Sequence, residues 1–273
     1  MNLDEALDTL ARDPTAPLDL AEVALRLALD EYPSLDVEAY LSELDGMARE
    51  ARNYLGGGLE SQVQGLCRYL FHEMGFRGNT QDYHDPRNSY LNEVLDRRTG
   101  LPITLSLVAM AVGQRAGLSV AGLGLPAHFI AQASQEGRTV LFDPFHGGRQ
   151  LTEEDCEHLI AQKTGRAVPT DSLSFHPTPP GLIAIRLLTN LKGVYLRGED
   201  FPRLVRTTER LRQLVPQDVT QRRDLGAAYL HMNQPGKAID HLKAYLKTLP
   251  DGPDTAATRQ LLAQALSLVA KWN

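Results

Sequence analysis

The chain has 273 residues, 28 Lys and Arg against 34 Asp and Glu, and no basic run interleaved with aromatics, which argues against a nucleic-acid partner. No apolar run approaches the roughly 18 residues of a membrane span, and the N-terminus, MNLDEALDTLARD, is acidic and amphipathic, unlike a signal or transit peptide. Two cysteines, Cys67 and Cys156, make neither a disulfide framework nor a CxxC metal spacing, so a reduced, cytoplasmic setting is expected.

Residues 19–31 (DLAEVALRLALDE) have the apolar spacing of a helix. A second helix is predicted from Val37 to Tyr54, with Asp36 placed to cap its first amides and with Tyr40, Leu44, Met47 and Ala51 on one stripe. Gly56-Gly57-Gly58 ends it, and a third helix carries Leu59, Val63, Leu66, Cys67, Leu70, Phe71 and Met74 largely on one side. Within that stripe Cys67 reads as a small buried hydrophobe, not a nucleophile. The polar loop GFRGNTQDYHDPRNS follows. Its Asn79, Asp82, Asp85, Asn88 and Ser89 are expected to bond backbone, with Asn88 or Ser89 capping the short helix SYLNEVLDRR.

Gly100 permits a sharp turn, Pro102 suits a first helical position, and Ile103 to Ala116 contains almost no charge before Gly117. A helix apolar on nearly every side is a buried helix, and its N-terminus is a natural place for an anion or an activated nucleophile. The period then becomes strand-like in LSVAGLGL, HFIAQAS and RTVLFDPF, with SQEG as a hairpin turn between the last two. If Ser134 pairs with Gly137, paired numbers sum to 271 and His128 lies across from Asp143, within hydrogen-bonding range. Residues 152–162 form a further helix with a capping-box arrangement of Thr152 and Asp155, and Cys156 falls on its apolar side. The stretch 169–180, with four prolines, reads as a linker or a strand-bearing connection.

The C-terminal third of the chain contains a repeat. Leu191, Tyr195 and Pro216 recur 34 residues later as Leu225, Tyr229 and Pro250, the period of tetratricopeptide helix pairs. The first copy has Lys192 where a small residue is usual, and a trailing helix, TAATRQLLAQALSLVAKW, would cap the stack. Residues 181–273 carry 14 Lys and Arg against 8 Asp and Glu, whereas residues 1–180 carry 14 against 26. That split suggests an acidic body with a mildly basic module able to dock on it or on a partner.

The segments LFHEMGFRGN, YHDPRNSYLNEVLDRRTGLPITLS, PAHFIA and LFDPFHGG resemble the SirB family of transglutaminase-like proteins, which join a transglutaminase-like core to C-terminal tetratricopeptide repeats. The resemblance covers essentially the whole chain. It implies an α+β fold: a transglutaminase-like (papain-like) core with a buried central helix against a small antiparallel sheet, a helical N-terminal region and helical repeats. The expected domains are a transglutaminase-like domain over residues 1–175 and repeats over residues 181–273. Within the first, residues 1–99 are expected to be helical and residues 100–165 to form the core. In the wider superfamily a Cys begins the buried helix and a His and an Asp come from adjacent strands. His128 and Asp143 match the last two, but the Cys position falls near Pro102, Ile103 or Thr104, and no thiol lies between 68 and 155.

Two functional readings follow. One is a non-catalytic transglutaminase-like protein that binds a protein or peptide partner through its repeats and an acidic pocket. The other is an acyl-transfer or amide-hydrolysing enzyme in which Thr104 or Ser106 supplies a hydroxyl nucleophile to the His128–Asp143 pair. The structural alternative for each hydroxyl is a bond to a carbonyl one turn back. Asp85, Asn88, Asn92, Pro102, Phe145 and His146 are expected to line the site. No cofactor, nucleic acid or membrane is expected. His84, His128, Asp143 and His146 are conceivable metal donors, but no close-spaced ligand pair supports them and no metal is expected.

Overall fold

A computed structural model describes residues 1–166 and 175–271. Helix α1 (Leu3–Arg12) is amphipathic and buries Ala6, Leu7 and Leu10. Asp19 caps α2 (Leu20–Ala28) by accepting from the amides of Ala21 and Glu22, and Asp36 caps α3 (Val37–Ala51) through the amide of Ala39. The helical run predicted to reach Tyr54 tightens into a 3-10 turn over Arg52–Tyr54. Likewise the third helix is α-helical only over α4 (Leu59–Cys67) and continues as a π segment over Arg68–Glu73.

The polar loop contributes strand β1 (Arg77–Gly78) and a 3-10 turn at Pro86–Asn88. Neither Asn88 nor Ser89 caps the next helix, α5 (Leu91–Arg97), whose N-cap position is Tyr90 with no side-chain bond. The Asn88 amide instead donates to the carbonyls of Asp82 (2.8 Å) and Tyr83 (3.3 Å), so its hydrogen bonds close the loop upstream. Strand β2 (Thr99–Gly100) pairs in parallel with β1.

Helix α6 (Pro102–Ala116) begins and ends where the sequence places it, with Gly117 in the left-handed region at φ 99°. Every residue from Pro102 to Gly113 is buried. Strands β3 (Val120–Leu125), β4 (His128–Gln135), β5 (Arg138–Asp143) and β6 (Arg149–Leu151) form an antiparallel sheet in that order. One face of the sheet, including Val120, Phe129, Ala131, Ala133 and Phe142, joins the core around α6. The other, including Leu123, Leu125, Ile130 and Leu141, packs with Cys156 and Ile160 of α7 (Glu153–Thr164). The Thr152–Asp155 capping box of α7 forms as predicted.

The β4–β5 register corrects the expected one. Ser134 pairs with Thr139 and Ala131 with Phe142, so paired numbers sum to 273. The two turn residues are Glu136 (φ 51°) and Gly137 (φ 78°). A two-residue hairpin of this kind requires positive φ at both positions, which Glu-Gly tolerates better than the Gln-Glu of the expected register. The shift is even, so His128 and Asp143 keep a common face and meet as diagonal neighbours.

Of the proline-rich stretch 169–180, residues 169–174 lie outside the described residues. Beyond them Thr178 bonds the free edge of β3, donating its amide to the Gly122 carbonyl (2.8 Å) and accepting from the Gly124 amide (2.7 Å). Five helices complete the described chain: α8 (Pro180–Arg197), α9 (Phe201–Leu214), α10 (Thr220–His231), α11 (Pro235–Thr248) and α12 (Thr255–Ala270). The unusual Lys192 is accounted for by its neighbours, because its ammonium donates to Gln221 and Asp224, each at 2.6 Å. The chain divides into two compact units, residues 1–3 with 15–187 and residues 4–14 with 188–273. The division therefore differs from a simple 1–175 and 181–273 split: α1 goes with the helical repeats, where Asp4 and Asp8 accept from the Gln213 amide.

Gly113 sets how closely α6 approaches its neighbours. A Cβ there would lie 2.5 Å from Val120 Cγ2 and 3.2 Å from Leu66 Cδ2. Helix propensity favours Ala over Gly by about 1 kcal/mol, but overpacking costs about 1–3 kcal/mol and β-branched Val120 has little rotamer freedom to yield. Gly113→Ala is expected to lower the stability of the core, read as a reduced urea midpoint with an unchanged slope.

Candidate functional site

The site forms where β4 begins and β5 ends. Asp143 is the last residue of β5 and also caps the 3-10 turn Pro144–His146. Its Oδ1 accepts from the amides of Phe145 (2.9 Å) and His146 (3.4 Å). That leaves Oδ2 facing two imidazoles, His128 Nε2 at 2.9 Å and His146 Nδ1 at 2.7 Å. Asp143 and His128 are 1% and 2% exposed, whereas the His146 side chain is 48% exposed. Burial alone would raise the Asp143 carboxyl pKa, but the hydrogen bonds and charge of His128 and His146 outweigh it and hold the carboxyl below its ordinary value.

Aromatic rings wall the pair. The Phe145 ring meets His128, His146 and Tyr83 edge-on, with centroids 6.2, 5.2 and 6.1 Å away, and His84 packs edge-on against Tyr83. The His128 carbonyl accepts from Nη2 of Arg186 (2.5 Å), whose Nη1 donates to Leu125 O (3.1 Å) and whose guanidinium lies over the Phe129 ring. Arg186 is a member of the site that sequence reasoning misses. Its only signal in the sequence is one charge within the apolar run GLIAIRLL.

Only some of the predicted site residues meet. His128, Asp143, Phe145 and His146 come together as described. Asp85, Asn88 and Thr104 instead serve the loop and the start of α6. Asp85 accepts from the Arg87 guanidinium at 2.7–3.0 Å and lies 3.4 Å from Arg97. Asn88 accepts from Asn79 Nδ2 (3.0 Å), and its carbonyl accepts from Thr104 Oγ1 (2.8 Å). Thr104 Oγ1 also accepts from the Leu101 amide (2.9 Å), so its hydroxyl is spent on the helix cap. Pro102 is buried at the first position of α6. Asn92 Oδ1 and Ser106 Oγ are buried without a hydrogen-bond partner among the described residues, so the expected bond from Ser106 to a carbonyl one turn back does not form.

Neither cysteine is poised for chemistry. Burial pushes the Cys67 thiol up to about 12 and, with the nearby charges of Asp155 and Asp143, the Cys156 thiol up to about 11. Cys67 packs against Gly148, which follows the His146 turn; a Cβ on that glycine would meet Cys67 Sγ at 2.5 Å.

Asp85 supplies a pH prediction. Burial raises its carboxyl pKa, but the Arg87 bonds and the Arg97 charge outweigh this and lower it. A lowered folded pKa gives stability that is present above the ordinary carboxylate value of about 3.9 and is lost as pH falls toward the folded value. Asp85→Asn is expected to cost about 1–2 kcal/mol at neutral pH, the modest figure reflecting solvent around Arg87. It should also flatten the loss of stability below about pH 4, read by urea denaturation across a pH series.

Residues 38–189 match the family model of the transglutaminase-like superfamily, and residues 191–263 match a tetratricopeptide repeat model. A UPF0162 protein of Xylella fastidiosa strain Temecula1 is 34% identical over 89% of this chain and 88% of its own length. A UPF0162 protein of Vibrio cholerae is 25% identical over 86% of this chain and 88% of its own length. F-box only protein 21 of Mus musculus is 37% identical, but over only 40% of this chain and 19% of its own length. A crystal structure of menin overlays with a TM-score of 0.41 at 11% identity over 89% of this chain and 69% of its own, too remote to argue from. The chain therefore belongs to the transglutaminase-like superfamily, shares its architecture with the UPF0162 proteins, and carries tetratricopeptide repeats after the core.

Proposed function

We propose that this protein is a non-catalytic member of the transglutaminase-like superfamily, of the SirB type, acting in the cytoplasm as a protein- or peptide-binding regulatory module. The observation that carries this reading is the fate of the hydroxyls in the first turns of α6. Thr104 is consumed by the cap and by Asn88, and Ser106 is buried without a partner among the described residues, so neither makes the hydrogen bond to His128 that a hydroxyl nucleophile needs. Both thiols are pushed upward, away from the thiolate form.

Partner binding is the ordinary role of tetratricopeptide repeats, whose stacked helix pairs expose long surfaces. The excess of Lys and Arg over residues 181–273 favours an acidic segment in the partner. Among the described residues no helix is long and apolar enough to cross a membrane.

The test is amine incorporation into, and hydrolysis of, glutamine-containing peptides by the full chain. Turnover at the uncatalysed level, unchanged by His128→Ala, is the expected result. Turnover above background that disappears in His128→Ala would establish the enzyme reading in its place.

A further inference from the structure

We propose that His128, Asp143 and His146 form a binding site for one divalent transition-metal ion of zinc-like character. Each of the three residues offers one donor atom, and these atoms all lie within 4.8 Å of one another. Two of the three separations, 2.9 and 2.7 Å, are already short. Ligand atoms around a tetrahedral ion with bonds of about 2.0–2.2 Å sit about 3.4 Å apart. Small side-chain adjustments therefore convert the trio from a hydrogen-bonded cluster into a ligand set. An ion takes the place of whatever proton His128 Nε2 and His146 Nδ1 share with Asp143, since a ligating nitrogen must be free of its proton.

Three further features suit an ion. Asp143 Oδ1 is held independently by the Phe145 and His146 amides, so the carboxylate stays oriented when Oδ2 turns from the imidazoles to a metal. Two imidazoles and one carboxylate select a borderline transition ion over calcium or magnesium, which take oxygen ligands. His146 provides access, since its side chain is half-exposed and borders a cleft of about 390 Å³ with His72, Gly148 and Arg149. With three protein donors, the remaining coordination is left to water or to a donor from a bound partner. A bound ion would tie the first residue of β4 to the turn after β5. Such a site requires neither a bound partner nor turnover of a substrate.

The test uses the full chain, stripped with a chelator and titrated calorimetrically with Zn²⁺ in a non-coordinating buffer. Saturable uptake of one equivalent is expected, together with a Zn²⁺-dependent rise in Tm. His146→Ala, at a half-exposed position, should weaken binding at least about tenfold and abolish the rise. His158→Ala, on the exposed side of α7, should leave both unchanged. Cobalt substitution adds a readout, because a visible band of tetrahedral Co²⁺ should appear in the wild type and be lost in His146→Ala. Absence of saturable binding, or binding by His146→Ala as tight as that of the wild type, overturns the proposal.

Discussion

The structure depends on the burial of α6 from Pro102 to Gly113. A helix with no polar face needs a cover on every side, and here the sheet supplies one side while the helices of the N-terminal region supply the others. Contact at that density is set by small residues, so Gly113 is enclosed by Val120 and Leu66. The N-terminal amides of the same helix still need satisfaction inside the core. Thr104 meets some of that need by reaching back to Leu101, and its donated bond to Asn88 ties the polar loop to the helix start. A hydroxyl used in this way serves the packing of the helix start.

Asp143 has a comparable role in the sheet. It ends β5, caps the turn that follows and accepts from two histidines, using both oxygens. A carboxylate this buried is stable in its charged form only when hydrogen bonds replace its water, and the two imidazoles and two amides do so. In a catalytic triad such an Asp orients one histidine toward a nucleophile. Here the carboxylate oxygen facing His128 is shared with a second histidine, which turns a linear relay into a three-cornered cluster.

Much of the fold is legible in the sequence because it follows from local rules. The capping residues Asp19, Asp36 and Thr152, the stop at Gly117 and the change of period after it all depend on neighbours within a few positions. The meeting of His128 with Asp143 is legible for a subtler reason. A turn centred on Gln135-Glu136 stands one residue early, which shifts the register by two, and an even shift preserves the face. Asn88 is harder to place, because its side chain suits a helix cap as well as a loop. What decides the matter is that the Asp82 and Tyr83 carbonyls lie within its reach.

The sequence by itself determined the layout: a helical front, a buried helix, a His–Asp hairpin, a 34-residue repeat and no cysteine at the helix start. These features rest on periodicity, composition and identity, which are properties of short stretches. Only the tertiary structure decided that His146 turns back onto Asp143, that Arg186 fastens the backbone of His128, and that Thr104 donates to the Asn88 carbonyl while Ser106 is left unpartnered among the described residues. Each of those outcomes depends on where a side chain points relative to segments distant in sequence or across a turn. Directions of that kind are fixed by packing, and no local pattern encodes them.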